Sequence, residues 1–461
     1  MTFALYFGHR GIFPGEVIDG AREELKQAVS QAGYDCLCMD AAQMHYGAVE
    51  TREEGRRYRQ FLQDNRGRYD GIIVSLPNFG DENGVLAALG DAEVPILVQA
   101  FPDELGQMDV HHRRDAMCGK FAVCNVLRQA GVRYTLTKSF TVRPCDAEFA
   151  DDLKHFAAVC RVVKGMKAFN LGAVGARTTP FKTVRVDETA LQRYGINVET
   201  IDLTDVFADM KRVSKEEIER SKQSILKQTV FSGFAEEKLT RIAALQAVLE
   251  RIIGQYNLQA VAVRCGSEFQ TEWGIVPCTN IALLNEKGIC AACEVDIENA
   301  VMMRALSLAA DAPCTLLDFN NNYGSDPDKA IMFHCGPVPP RMLTEKGRIA
   351  EHVMYKNSYA DGCVVGVHQG TPKSGDVTIG SIKTENGKIC AFAAEAAFTD
   401  DVIDRAFFGC GKVIHKQGLN DLANYMARSG YKHHLCVVYG RHMQAVREAF
   451  DHYLGYDIQI F

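Results

Sequence analysis

The sequence predicts an α/β fold: two doubly wound parallel-sheet domains of Rossmann or flavodoxin type, followed by a mainly antiparallel, barrel-like β domain. Three observations carry this expectation. Up to about residue 309, short continuous apolar runs alternate with amphipathic helical segments, the pattern of a parallel sheet covered on both faces. Past Asp311 strand-like runs follow one another with turns between them. At 461 residues, 47% of them hydrophobic, the chain is also too long for one ordinary core.

The first domain is expected over residues 1–143. FALYF (Phe3 to Phe7) is a short buried strand that breaks at Gly8-His9-Arg10-Gly11. Val17, Ala21, Leu25, Ala28, Val29 and Ala32 then share one helical face that closes at Gly33, a helix with a glycine C-cap. A strand at Cys36 to Met39, a helix from Arg52 to Asn65, the strand GIIVSL and a run from Val94 continue the alternation. The second domain, 144–309, repeats it. A strand spans Ala168 to Gly175, another ends at Asp202, and Ser214 with Glu217 forms a capping-box pattern that opens a helical region. A helix from Glu236 to Tyr256 leads to the strand AVAVRC, and then to GICAACE, which carries Glu294. In the third domain, 310–461, CTLLDF, KAIMFHCG and GCVVGVHQG read as strands. An Asn386-Gly387 turn marks a hairpin, and the chain is expected to close as helix, strand, helix.

A charge of −7 without long runs gives no footprint for nucleic acid or an anionic membrane. No run of eighteen apolar residues occurs, so a cytoplasmic location is expected. Sixteen cysteines without framework spacing read as reduced, packed thiols, the Cys290-x-x-Cys293 pair included.

Four segments bring polar side chains to predicted strand ends, where open α/β sheets place ligands. Glu294 follows a strand and precedes a helix starting near Asp296; Asp318 lies 24 residues on, then His334, then the pair His433 and His434. Each has an ordinary alternative: Glu294 as a helix cap, Asp318 as turn chemistry, His334 as a satisfied core histidine. Alternation along a strand would admit only one of His433 and His434 to a given site. Together, carboxylates mixed with imidazole suit manganese or another divalent first-row ion rather than a closed thiolate zinc site. Such an ion can polarise a sugar carbonyl. A non-catalytic sugar-binding protein, or a metal-dependent hydrolase or aldolase, are the competing readings.

Gln270, Trp273-Gly274, Pro277-Cys278, Leu283-Leu284-Asn285 and Gly288-Ile289 through Ala291-Ala292-Cys293-Glu294 to Asp296 resemble the central motif of the L-fucose isomerase and L-arabinose isomerase superfamily. LLDF with Asp318, the turn His334-Cys335-Gly336 and the stretch from Gly430 to His433-His434 resemble its later signatures, in the same order. The resemblance implies a metal-dependent aldose-ketose isomerase, short for its family, acting through a cis-enediol on a small-molecule sugar. It implies Mn2+ held by Glu294, Asp318 and His434, with Glu294 and Asp318 also exchanging protons with substrate. His334 matches a further ligand of the arabinose isomerase branch, whereas Asp rather than Glu at 318 resembles the fucose branch. Arg10, Gln270 and Trp273 are the candidate substrate contacts, Arg10 resembling a residue that reaches a neighbouring subunit's site. A homo-oligomer, trimer or hexamer, with active sites at subunit interfaces is implied.

Overall fold

The computed structural model describes residues 1–404 and 407–461. The chain divides into two compact units, Met1–Lys164 and Gly165–Phe461.

In the first unit, β1 (Thr2–Phe7), β2 (Asp35–Cys38), β3 (Gly71–Leu76), β4 (Ile96–Ala100) and the short β5 (Thr135–Leu136) form a wholly parallel sheet in the order 2-1-3-4-5. Because β1, β3 and β4 are covered on both faces, almost every residue of theirs is buried, which is why they read as unbroken apolar runs. Helices α1 (Val17–Gln31), α2 (Arg52–Asp64), α3 (Glu82–Leu89), α4 (Ala116–Gln129) and α5 (Ala147–Met166) complete the layers. The Thr51 hydroxyl accepts from the Glu54 amide while Glu54 reaches back to the Thr51 amide, so α2 starts on a capping box. In α1 the buried stripe is Ile18, Ala21, Leu25 and Val29, with Val17 and Ala28 at its margin rather than its centre.

The second unit opens with β6 (Phe169–Val174), β7 (Ile196–Ile201), β8 (Leu258–Val263) and β9 (Cys290–Cys293), a parallel sheet in the order 7-6-8-9. Between its strands run α6 (Glu188–Arg193), α7 (Leu203–Met210), α8 (Lys215–Gln228), α9 (Glu236–Gln255) and α10 (Cys278–Glu286). The capping box read at Ser214 and Glu217 opens α8. From β9 the chain enters α11 (Ile297–Ala310), whose buried face includes Ala300, Val301, Met302, Met303, Ala305 and Leu306.

After α11 the pairing becomes antiparallel, as the sequence indicated. β10 (Thr315–Tyr323), β11 (Asp326–His334), β14 (Gly375–Glu385), β15 (Lys388–Phe398), β16 (Cys410–His415) and β17 (His434–Tyr439) pair in the order 14-17-10-11-16-15, and β14 pairs again with β15 to close the ring. The Asn386-Gly387 turn joins β14 to β15, both residues at positive φ as the tight turn demands. Two details differ from the sequence reading. The run GCVVGVHQG supplies β13 (Val365–Gln369), which pairs not with the barrel but with β12 (Arg348–Glu351), and Val365 bridges Ile275. A Cβ at Gly366 would lie 2.1 Å from the Val276 carbonyl oxygen, so the missing side chain is what lets this ribbon approach so closely. After α12 (Leu419–Ser429) and α13 (Met443–Arg447) the chain ends not in a helix but in β18 (Asp457–Ile460), parallel to β15. No helix among the described residues is long and apolar enough to cross a membrane.

Candidate active site

One turn and three strands of the second unit bring polar groups to one place. Glu294 lies on the turn after β9, His334 closes β11 and His434 opens β17. Asp318, expected at a strand end, lies inside β10. Glu294 leaves β9 with φ 62° and Val295 follows with φ 59°, two successive left-handed residues, neither of them glycine. That conformation costs of order 1–3 kcal/mol per residue and is tolerated where the surroundings impose it. Val295 N donates to Val263 O, and Asp296 N to Cys293 O, so the turn is pinned to the end of the sheet while the Glu294 side chain stays about one-quarter exposed.

Asp318 and His434 are direct partners across β10 and β17, and opposed residues of an antiparallel pair share a face. His434 Nε2 lies 3.4 Å from Asp318 Oδ1 and 3.1 Å from Glu294 Oε2. Its other nitrogen, Nδ1, donates to Asp296 Oδ2 at 2.8 Å. A ring held by a carboxylate through one nitrogen presents the lone pair of the other, the arrangement found behind metal-bound histidines.

Asp296 does more than cap α11, although its carboxylate does accept the Asn299 amide. Lys432 Nζ, itself buried, lies 2.9 Å from Asp296 Oδ1 and 2.6 Å from Glu298 Oε2. Burial opposes the charge on Asp296, yet Lys432 and the His434 ring hold its carboxyl well below the usual carboxylate range. Burial likewise opposes the Lys432 cation, which Asp296 and Glu298 more than restore. For His434, burial disfavours the cation but Asp296 and Glu294 outweigh it, raising the imidazole to about 9. The site is therefore rich in negative charge and attracts a cation, either the proton that closes the His434 Nε2 lone pair or a metal ion in its place.

His334, at the end of β11, sits 3% exposed, its ring 5.9 Å from that of His434. One of its ring nitrogens joins Glu294 and His434 in a group whose potential ligand atoms all lie within 4.8 Å of one another. Its Nδ1 receives the Cys335 backbone N–H at 2.9 Å; an amide nitrogen can only donate there, so the ring proton belongs on Nε2. His433 also approaches Asp318, Nε2 to Oδ1 at 3.8 Å. Strict alternation does not separate the two histidines because β17 begins only at His434. His433 is half-buried, and burial together with its charged neighbour His434 lowers its basicity.

These groups open into a cavity of ≈ 490 Å³. Glu294, Asp318 and His334 stand in its wall, with Phe333, Phe407, Phe408 and Tyr355 supplying an apolar surface. His352 stacks on Tyr355 with ring centroids 4.0 Å apart. The donor set fits a divalent cation: hard carboxylate oxygens with imidazole. Asp318 Oδ1 and His434 Nε2 are moreover buried atoms without a hydrogen-bond partner among the described residues.

Of the other expected contacts, Gln270 and Trp273 do not line this cavity. Gln270 is fully buried, donating to the Cys265 carbonyl at 2.8 Å, so it supports the β8 loop rather than lining this cavity. Trp273 lines a separate cavity of ≈ 940 Å³ with Arg241 and Arg264, because the turn Phe269–Trp273 winds too widely to keep both side chains on one side. Arg10, in the first unit, pairs with Glu82 at 3.3 Å and covers the Phe79 ring. Sequence reasoning gave Asp296 no role beyond the helix start and missed Lys432; the buried lysine two residues before the second histidine was the available signal.

An α/β chain with such a charged cluster beside an apolar sugar-sized cavity is the build of a carbohydrate-converting enzyme. Comparison with known proteins narrows the class. Residues 4–167 match the model of the fucose/sulfoquinovose isomerase N-terminal domain, and residues 332–461 that of the L-fucose isomerase C-terminal domain. The chain is 24% identical over 402 residues to a sulfoquinovose isomerase of Alkalicoccus urumqiensis, covering 84% of this chain and 85% of that protein. It is 21% identical over 394 residues to one of Priestia aryabhattai, covering 82% and 83%. Among solved structures, a periplasmic solute-binding protein of Actinobacillus succinogenes with bound D-allose covers 68% of this chain and 92% of its own at 13% identity. Its TM-score is 0.17, too low for a structural argument. The protein is an aldose-ketose isomerase. It belongs to the fucose isomerase family, as a short, fucose-isomerase-like member.

Proposed function

We propose that the chain interconverts an aldose and its ketose through a cis-enediol, with Glu294 and Asp318 as the proton-transferring groups. We further propose that Glu294, Asp318 and His434 hold a divalent cation, Mn2+ by preference. What chiefly supports this reading is the convergence of both carboxylates on His434 Nε2, at 3.1 and 3.4 Å, while Asp296 fixes the ring from behind.

When bound, the cation would polarise the carbonyl oxygen and acidify the neighbouring C–H. One carboxylate takes the proton from C2 and the other relays a proton between the oxygens, so that return of the first proton to C1 yields the ketose. His334, its ring proton directed by the Cys335 amide to Nε2, serves better as a hydrogen-bond donor to a substrate oxygen than as a fourth ligand. The aromatic wall takes the C–H face of the sugar and limits water. His433, half exposed at the edge, adds a polar contact.

The test is proton exchange followed by NMR. Metal-loaded protein in D2O, offered neutral, 6-deoxy and 6-sulfonated aldoses, is expected to place deuterium at C2 of the aldose and C1 of the ketose, and EDTA is expected to stop it. Glu294→Gln should lower turnover at least about a hundredfold, the lower range for removing a general base, with an unchanged circular dichroism spectrum. Undiminished exchange in that variant would overturn the assignment. The sulfonated aldose belongs in the panel because the relatives are sulfoquinovose isomerases. Active sites between copies of the chain in a trimer or hexamer, cytoplasmic location, and the division at residues 143 and 309 remain part of this proposal.

A further inference from the structure

In and beside the cavity wall four cysteines from four separate segments meet. Cys265 follows β8, Cys278 opens α10, Cys293 ends β9 and Cys335 follows β11. Cys278 Sγ lies 3.6 Å from Cys335 Sγ. Cys293 Sγ lies within 4.8 Å of Cys335 Sγ. Cys265, Cys278 and Cys335 all line the ≈ 490 Å³ cavity. Every one of them is a free thiol.

Buried thiols usually act as small apolar side chains, and the Cys290 thiol, pushed up to about 12 by burial, fits that description. The four-thiol group does more, for two geometric reasons. Its central member, Cys335, is only partly buried and opens on the cavity, so a small polar solute can reach it. The backbone after Cys335 also runs against Cys278, since a Cβ at Gly336 would meet the Cys278 Cβ at 3.1 Å. Two sulfurs at 3.6 Å on closely apposed backbones need only small side-chain rotations to reach a bond of about 2.05 Å.

We propose that Cys335 and Cys278 form an oxidative modification site, closing a reversible disulfide in response to a peroxide. In the first step the Cys335 sulfur attacks the O–O bond of hydrogen peroxide, giving a sulfenic acid and releasing water. The Cys278 sulfur then attacks the sulfenic sulfur, the S–S bond forms, and the sulfenic oxygen leaves as a second water. Two thiols lose two protons and two electrons, and the peroxide is reduced to two waters. Because Cys335 directly follows His334, closing the bond pulls the His334 turn toward α10. That consequence rests on the isomerase reading above; the bond itself does not.

The experiment uses the full reduced chain. It is treated with stoichiometric hydrogen peroxide, quenched with N-ethylmaleimide, and analysed by intact mass and peptide mapping. The expected result is a loss of two hydrogens per chain, a peptide pair joined through Cys278 and Cys335, and full reversal by dithiothreitol. In Cys278→Ser the Cys335 sulfenic acid should persist and be trapped by dimedone; in Cys335→Ser no bond should form at Cys278. Oxidation confined to the exposed Cys118 and Cys145, or a bond from Cys335 to Cys293 in place of Cys278, would overturn the proposal. Oxidised wild type should isomerise at least about tenfold more slowly than the same sample after dithiothreitol. A mapped bond in a protein whose reduced form exchanges no sugar proton counts against the proposed reaction alone. An active reduced enzyme that forms no such bond counts against this site alone.

Discussion

At Glu294 the backbone and the chemistry make opposite demands. The side chain must leave the end of β9 toward His434, and this requires positive φ at a residue with a Cβ. A left-handed conformation costs an L-residue about 1–2 kcal/mol, a cost that glycine avoids. Glu294→Gly is therefore expected to be more stable than Glu294→Ala by about 1 kcal/mol, the reverse of their order in an ordinary helix or strand. Urea unfolding of the two variants measures the difference, and an alanine variant equal to or more stable than glycine would argue against strain at this turn. Neither variant should turn over sugar. Nothing in GICAACEVD announces the positive φ, because Glu-Val is not turn-like; only the pull of the sheet on one side and α11 on the other imposes it.

Among the elements, α11 joins the parallel sheet to the barrel, and its first turn carries buried charge. Glu298 accepts the Thr384 backbone N–H and hydroxyl of β14 at 2.5 and 2.7 Å, while Lys432 just before β17 spans Asp296 and Glu298. Removing one partner of such a group leaves buried charge uncompensated, so Lys432→Met is expected to cost about 3–5 kcal/mol, read by chemical denaturation. β13 makes a second prediction, about pH. Its His368 is fully buried, with Nδ1 donating to the Val338 carbonyl at 3.0 Å and Nε2 without a partner among the described residues. Burial pushes its basicity down to about 4. Below the ordinary histidine value of about 6.5 the unfolded chain takes up a proton that the folded chain refuses. Stability should therefore fall as the pH drops from about 6.5 to 4, by about 3 kcal/mol in all. His368→Gln should flatten that part of the stability-pH curve, and an unchanged slope would remove His368 from the account.

For the whole molecule, the proposed ligands Glu294, Asp318 and His434 all belong to the unit Gly165–Phe461. A ligand that binds only the folded state stabilises it by about 2.7 kcal/mol at a hundred times its dissociation constant. Adding Mn2+ to the chelated full chain should thus slow amide exchange around residues 294–296, β10 and β17. The sheet of Met1–Lys164 should exchange as before, and protection appearing first in that sheet would place the metal elsewhere. What the sequence determined by itself was the α/β architecture and the order of the candidate site residues along the chain. Alternation of apolar runs with helices is enforced by burying a parallel sheet on both faces, Asn386-Gly387 is enforced by a tight hairpin, and Glu294, Asp318 and His434 follow in a recognisable order. What the tertiary structure decided was what each side chain touches. The β10–β17 register pairs Asp318 with His434, the wide turn after β8 sends Gln270 inward and Trp273 to another cavity, and four distant cysteines meet at the cavity wall. Register, turn width and the packing of remote segments depend on contacts far apart in the chain, so local pattern and spacing do not encode them.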